Sequence, residues 1–167
     1  RQAKISFIKG EVENVDFNLK EIILKNRAPI NYSKLVINCG SETRISDEFE
    51  DLVKNQIAFP IKPFFKAYDL ITKEDNYNSE DELPFVIVGS GLAAIEVSFA
   101  LRKRWPKRVL KIVCNTNIIN SKILKSLRQS NIHIVDKITF AYRKIILCTG
   151  NSPSLWVENN ILNLDSK

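Results

Sequence analysis

Residues 85–96 read Phe-Val-Ile-Val-Gly-Ser-Gly-Leu-Ala-Ala-Ile-Glu, an apolar run that meets a glycine turn and passes straight into a helical pattern. This junction constrains the fold more than any other stretch. It specifies a buried parallel strand, a tight turn, and a helix whose first N–H groups face the space beyond the strand end. Gly89 permits the turn, Gly91 lets the backbone approach a pyrophosphate, and Ala94 allows close helix-to-strand packing. Ser90, Leu92 and Ala93 complete the turn and the first helical positions, and Glu96 follows on the helix. A large side chain at Gly91 is expected to block a ligand held there.

A short glycine pattern can also serve as a packing-only turn that needs φ > 0. The surroundings favour the nucleotide reading. Pro84 marks the strand entry, residues 92–104 carry Ala, Leu and Phe on an apolar helix side, and Trp105-Pro106 stops the helix. Val109 to Val113 reads as a second strand, so the segment from 85 to 113 has the length of one βαβ unit of about 30 residues. In such units an acid at the end of the second strand bonds the ribose 2′-hydroxyl. Here that position reads Cys114-Asn115-Thr116, with no carboxylate. Asn115 or Thr116 is left to bond a ribose hydroxyl, and preference between NADH and NADPH stays open. The competing reading is a Rossmann-like module that has lost its nucleotide.

An internal repeat adds a second constraint. Tyr32-Ser33-Lys34-Leu35-Val36-Ile37-Asn38-Cys39-Gly40 and Tyr142-Arg143-Lys144-Ile145-Ile146-Leu147-Cys148-Thr149-Gly150 share Tyr-x-Lys, three aliphatics, two small or polar residues and a glycine. Each reads as a buried strand ending at the carboxyl edge of a sheet. Cys39, Gly40, Thr149 and Gly150 would there pass close to a nucleotide.

On these motifs the chain resembles the two-dinucleotide-fold flavoprotein reductases, which include type II NADH dehydrogenases and pyridine nucleotide-disulfide oxidoreductases. Residues 32–41 are similar to the strand that closes the first part of the FAD domain in that family. Residues 145–153 are similar to the strand closing the NAD domain, and Gly89, Ser90, Gly91, Ala94 and Glu96 match its glycine motif with a helical glutamate. More narrowly, residues 36–41, 63–70 and 153–165 are similar to the NADH-dehydrogenase-like module fused to selenide, water dikinase in some bacteria. The resemblance implies an α/β fold, with a Rossmann-type NAD(P)-binding domain of parallel sheet and β-meander beside a partial FAD domain. It implies NAD(P)H as cofactor, FAD in a full-length parent, and hydride transfer from nicotinamide to flavin. Cys39 and Gly40 fall on its FAD side, Cys114, Asn115, Thr149 and Gly150 on its NAD side, and Glu96 near the nicotinamide or flavin. The first FAD fingerprint and the C-terminal Gly-Asp motif of the family are absent from these residues. The expectation is therefore a fragment, inactive alone, whose partners are its nucleotides and the missing segments of the same protein; a homodimer is compatible with it.

Three isolated cysteines, Cys39, Cys114 and Cys148, leave no close Cys pair for a redox dithiol and no Cys/His cluster for a metal. They read as small apolar fillers and fit a reducing compartment. His133 alternates with Ile132 and Ile134 and falls on the polar face of a strand. Glu96, if not at the cofactor, is an exposed helix acid. No residue stands out as a catalytic acid, base or nucleophile. The formal charge of +6 and the cluster Arg102, Lys103, Arg104, Lys107 and Arg108 around Trp105 invite a nucleic-acid reading. A helix C-terminus explains cations equally well, and no nucleic-acid partner is expected. No apolar run approaches the ~20 residues of a membrane span, and no signal-peptide pattern is seen, so a cytoplasmic protein is expected.

Along the chain, residues 1–71 read as the last part of the first FAD-domain segment plus a crossover. They hold β-prone runs at 4–9, 21–24 and 34–38 and helices near 47–54 and 63–71. Residues 72–83 form a polar, acidic linker, and 84–167 the NAD(P)-binding domain, shortened at its C-terminus. Ser121 to Ser130 reads as an amphipathic helix capped by Asn120 or Ser121, and Ile132 to Val135 as a third parallel strand. Between Asp136 and Tyr142 the family carries a longer β-meander than these few residues can form.

Overall fold

A computed structural model describes residues 5–76 and 83–153 of the chain. They fall into two compact units, one holding residues 5–40 and Pro153 and the other the described residues of 41–152.

In the first unit, β1 (Val12–Asp16), β2 (Glu21–Leu24) and β3 (Ile30–Asn31) form an antiparallel sheet in sequential order. Its first turn is built by Asp16, whose carboxylate accepts the N–H groups of Asn18 and Leu19 at 2.9 and 2.8 Å. Lys20 closes the turn at φ 55°. The expected strand at 34–38 is not formed, and Val36 is 88% exposed. The expected run at 4–9 is likewise unpaired over its described residues 5–9.

The second unit holds β4 (Ser41–Thr43), α1 (Asp47–Lys54), β5 (Ala58–Pro60), α2 (Phe64–Glu74), β6 (Phe85–Val88), α3 (Leu92–Arg104), β7 (Leu110–Val113), α4 (Ser121–Gln129), β8 (Ile132–Val135), β9 (Lys144–Leu147) and all but the last residue of β10 (Asn151–Pro153). Five strands make one parallel sheet in the order β5-β9-β6-β7-β8, and β4 pairs with β10. From β6 the chain steps outward through β7 and β8, then returns to β9 on the other side of β6. The strand order therefore reverses between β6 and β9, where an open α/β sheet forms its binding crevice at the carboxyl ends.

Side chains alternate across β6 as its pleat requires. Phe85 and Ile87 join the core under α2, α3 and α4, with Ala67, Ile71, Ala94, Leu101 and Leu127. Val86 and Val88 face the opposite layer, with Phe49 of α1 and, beside it, Phe140 and Tyr142. All four β6 side chains are buried, which explains the continuous apolar run in the sequence. The boundaries differ from the sequence expectation. Residues 41–71 group with the parallel sheet because β5 is its edge strand, paired with β9, and α2 continues to Glu74 into the expected linker. Residues 77–82 of that linker lie outside the described residues.

Candidate functional site

The strand ends of the parallel sheet open into a cleft of about 960 Å³. Across the sheet edge its walls are Ile61 and Lys62 after β5, Cys148 to Asn151 after β9, Val88 to Ala93 around the glycine turn, Val113 to Asn117 after β7, and Asp136 after β8.

At the centre is Gly89, with φ +147°, a backbone conformation side chains rarely adopt. A Cβ built there would collide with the Cys148 carbonyl and crowd the Ala94 methyl at 3.1 Å. The close approach follows from pairing, since the Cys148 N–H donates to the Val88 carbonyl at 2.7 Å and the Gly89 N–H to that of Val113 at 3.0 Å. Gly89 thus closes the helix, the turn and the returning strand on one another. Gly91 is different: its φ is −85°, and a Cβ there meets nothing within 4 Å. Protein packing alone leaves the position free, so the lack of a side chain preserves space in the cleft and not a contact of the fold.

Gly91 is the N-cap of α3 and supplies no side-chain cap. Its carbonyl accepts from Ala94 and Ile95 at 3.1 and 3.3 Å, so the helical ladder begins there. The N–H groups of Leu92 and Ala93 precede that ladder, and both residues line the cleft. Partial positive charge at this helix start suits an anion. Ser90 accepts a hydrogen bond from the Asn115 N–H at 2.8 Å, joining the glycine turn to the loop after β7. The Asn115 carboxamide oxygen meanwhile accepts from Asn117 N–H at 3.0 Å as the cap of the short 3-10 turn Thr116–Ile118.

Cys114 and Cys148 are buried at the floor of the cleft. Burial pushes the Cys148 thiol up to about 12; Cys114 is also raised, first by burial and then by the nearby Asp136 carboxylate. Both are held as neutral thiols. Thr149 and Gly150 line the cleft beside them; the Gly150 carbonyl accepts from Arg44 N–H at 3.1 Å and the Thr149 hydroxyl pairs with the Arg44 carbonyl.

Of the residues singled out in the sequence, Gly89, Ser90, Gly91, Leu92, Ala93, Cys114, Asn115, Thr149 and Gly150 come together around this one cleft. Ala94 lies buried just beneath it. Glu96 is exposed on α3 and is not among the lining residues. Cys39, which is exposed, and Gly40 at φ +78° belong to the other unit. Sequence reasoning missed Lys62 and Asp136. Each directly follows, or nearly follows, a parallel strand, a signal that was available for Asp136 after Ile132–Val135.

The three arginines of the basic cluster are engaged within the fold, while Lys103 and Lys107 are exposed. Arg102 donates to the carbonyls of Trp105, Pro106, Arg108 and Asn131. Arg104 pairs with Asp75, and Arg108 reaches the Glu74 carbonyl at 2.8 Å while stacking over the Trp105 ring at 4.2 Å. Among the described residues no helix is long and apolar enough to cross a membrane.

No family model matches the chain. Ferroptosis suppressor protein 1 of Taeniopygia guttata is 24% identical over 125 residues, covering 74% of this chain and 31% of that protein. The structure is similar to a putidaredoxin reductase, solved covalently joined to putidaredoxin, with a TM-score of 0.70 at 13% identity over 93% of this chain and 44% of that one. A ferredoxin reductase for the CYP199A2 system of Rhodopseudomonas palustris matches with a TM-score of 0.64 at 13% identity, over 91% of this chain and 43% of its own. A pyridine nucleotide-disulfide family oxidoreductase of Enterococcus faecalis V583 matches with a TM-score of 0.60 at 14% identity, over 88% and 39%. The chain thus spans less than half the length of each of these proteins. Its α/β architecture, with a glycine turn at the switch point of a parallel sheet, is a fold shared with the corresponding parts of these reductases.

Proposed function

We propose that this chain is the NAD(P)H-binding portion of an FAD-dependent NAD(P)H oxidoreductase. The observation that carries the reading is Gly91. A residue whose Cβ would touch no protein atom, set between free helix N–H groups and a cleft, keeps open the place a pyrophosphate needs. The residues present fit such a group: Leu92 and Ala93 offer N–H donors, Ser90 fixes the turn against the adjoining loop, and Thr149 and Gly150 bound the far side.

Bound there, a nicotinamide nucleotide supplies the reducing equivalent that a flavin accepts. The chain's own part is to bind, to orient and to exclude water. The neutral thiols of Cys114 and Cys148 make an unreactive floor, and no side chain in the cleft is assigned a proton-transfer role. Cys39 and Gly40 are assigned to the flavin side, Glu96 to the neighbourhood of the nicotinamide or flavin in the full protein, and a cytoplasmic setting goes with this reading.

Calorimetric titration with NADH and NADPH tests it, alongside a Gly91→Val variant whose fold is checked by circular dichroism. Micromolar to sub-millimolar binding that the folded variant loses supports the reading. The absence of heat from either nucleotide favours the second reading, a Rossmann-like module without a nucleotide. That rival draws on the lack of an acid after β7 and on the prior use of the Asn115 carboxamide oxygen.

A further inference from the structure

The acid missing after β7 has a counterpart one strand away. In the parallel register Val113 lies opposite Val135, and the Cys114 N–H donates to the Val135 carbonyl at 3.3 Å. Asp136 is the next residue, so it stands beside Cys114 at the sheet edge, displaced by one strand spacing of about 4.8 Å. It lines the cleft and is the one carboxylate among the described residues that do so. Among the described residues the one lining cation, Lys62, follows β5 at the opposite end of the strand order β5-β9-β6-β7-β8, and its ammonium donates to Ser41 Oγ at 2.8 Å. Asp136 stands between this cleft and an adjoining cavity, which it also lines and which holds Lys137, Phe140 and Tyr142; Lys137 does not line the cleft.

This places a negative charge at the adenosine end of the nucleotide. With the pyrophosphate at the β6 turn, the adenosine ribose falls toward β7, where the neighbouring strand end belongs to Asp136. A carboxylate there can accept hydroxyl hydrogen bonds from a free ribose and repels a 2′-phosphate. Asn115 is neutral, and its carboxamide oxygen already accepts the Asn117 N–H, so it carries no charge against a 2′-phosphate.

We propose that Asp136 is the specificity-determining residue of the cleft and that it selects NADH over NADPH. The inference rests on the proposed nucleotide site. Because Asp136 is exposed and outside the core, Asp136→Asn leaves the fold intact and isolates the charge.

The test is the ratio of NADPH to NADH dissociation constants at low ionic strength, for the wild-type chain and Asp136→Asn. The expected result is a wild-type ratio of about 10 or more, equivalent to about 1.4 kcal/mol, falling toward 1 in the variant chiefly because NADPH binds more tightly. A merely structural residue would weaken both nucleotides alike. Equal wild-type affinities, or an unchanged ratio in Asp136→Asn, overturn the role of Asp136 and leave the nucleotide site standing. Failure of the wild-type chain to bind either nucleotide overturns the site, and this inference with it.

Discussion

The Ser90 hydroxyl accepts the Asn115 N–H at 2.8 Å, tying the turn that follows one strand to the loop that follows its neighbour. The bond fixes the spacing between the helix start and the end of β7, the two places a dinucleotide must touch together. Ser90→Ala is expected to cost about 1 kcal/mol of stability and to weaken nucleotide binding several-fold. Ser90→Thr, which keeps the acceptor, should retain most of both; denaturant melts and titrations on the three proteins check this.

Gly89 and Gly91 are separated by one residue and should respond oppositely. Gly89→Ala places a Cβ against the Cys148 carbonyl in a backbone region that disfavours it, and should cost at least about 2 kcal/mol. Gly91→Ala should leave the unfolding midpoint nearly unchanged, because nothing lies within 4 Å of the added carbon. Chemical denaturation of both variants measures the contrast.

Several elements were legible in the sequence for physical reasons that the structure bears out. The β6–α3 junction declared itself because strand, turn and helix each impose a different residue choice within a few positions. The α4 helix was marked by Asn120, whose carboxamide oxygen accepts the Lys122 N–H at 2.9 Å. The repeat shows the limit. Lys144–Leu147 becomes a strand because β5 and β6 flank it, whereas the same pattern at 34–38 has no ladder partner among the described residues. An apolar run states a willingness to pair, and only neighbours brought from far along the chain decide the outcome. Edge strand β5 was missed for the same reason, being only three residues long. Asp136 was not legible as a site residue because the sequence pattern for a ribose-binding acid points to the end of the second strand, and Asp136 follows the third. The stretch 154–165 used for the narrower resemblance lies outside the described residues.

The basic cluster should behave as internal mortar. Arg102 satisfies four carbonyl oxygens near the end of α3. Arg102→Ala is expected to destabilise the unit by about 2 to 3 kcal/mol, and Arg102→Lys to recover little of it, since an ammonium cannot reproduce the planar fork. Thermal melts of the two variants give the comparison.

Thiol reactivity and alkaline stability should follow burial. Cys39 should react first with a thiol reagent at mild pH, with Cys114 and Cys148 slow and slower still with nucleotide bound. Cys148 is raised from 9.0 to about 12 in the folded chain. The unfolded chain therefore releases this proton first, so the contribution is whole below about pH 9, where the unfolded thiol titrates, and declines toward 12. Cys148→Ala should flatten that part of the stability profile.

Asp75 carries the opposite sign. The Arg104 guanidinium, assisted by the Trp105 indole N–H at 2.8 Å, holds its carboxyl down at about 2 from 3.8. The stabilisation is present above 3.8 and is lost as pH falls through about 2. With a third of the side chain exposed, it amounts to about 1 kcal/mol or less. Asp75→Asn should remove the acid-side slope while changing stability at neutral pH only slightly, as read from circular dichroism during unfolding across the pH range.

The most direct measurement of the central claim is the amide shift map of the isotope-labelled chain during titration with NADH. Saturable shifts should concentrate at Ser90, Gly91, Leu92 and Ala93, with a second group at Asn115, Thr116 and Asp136 and a third at Thr149 and Gly150. A spectrum that stays unchanged, or shifts that saturate elsewhere while the glycine turn is silent, would contradict the account.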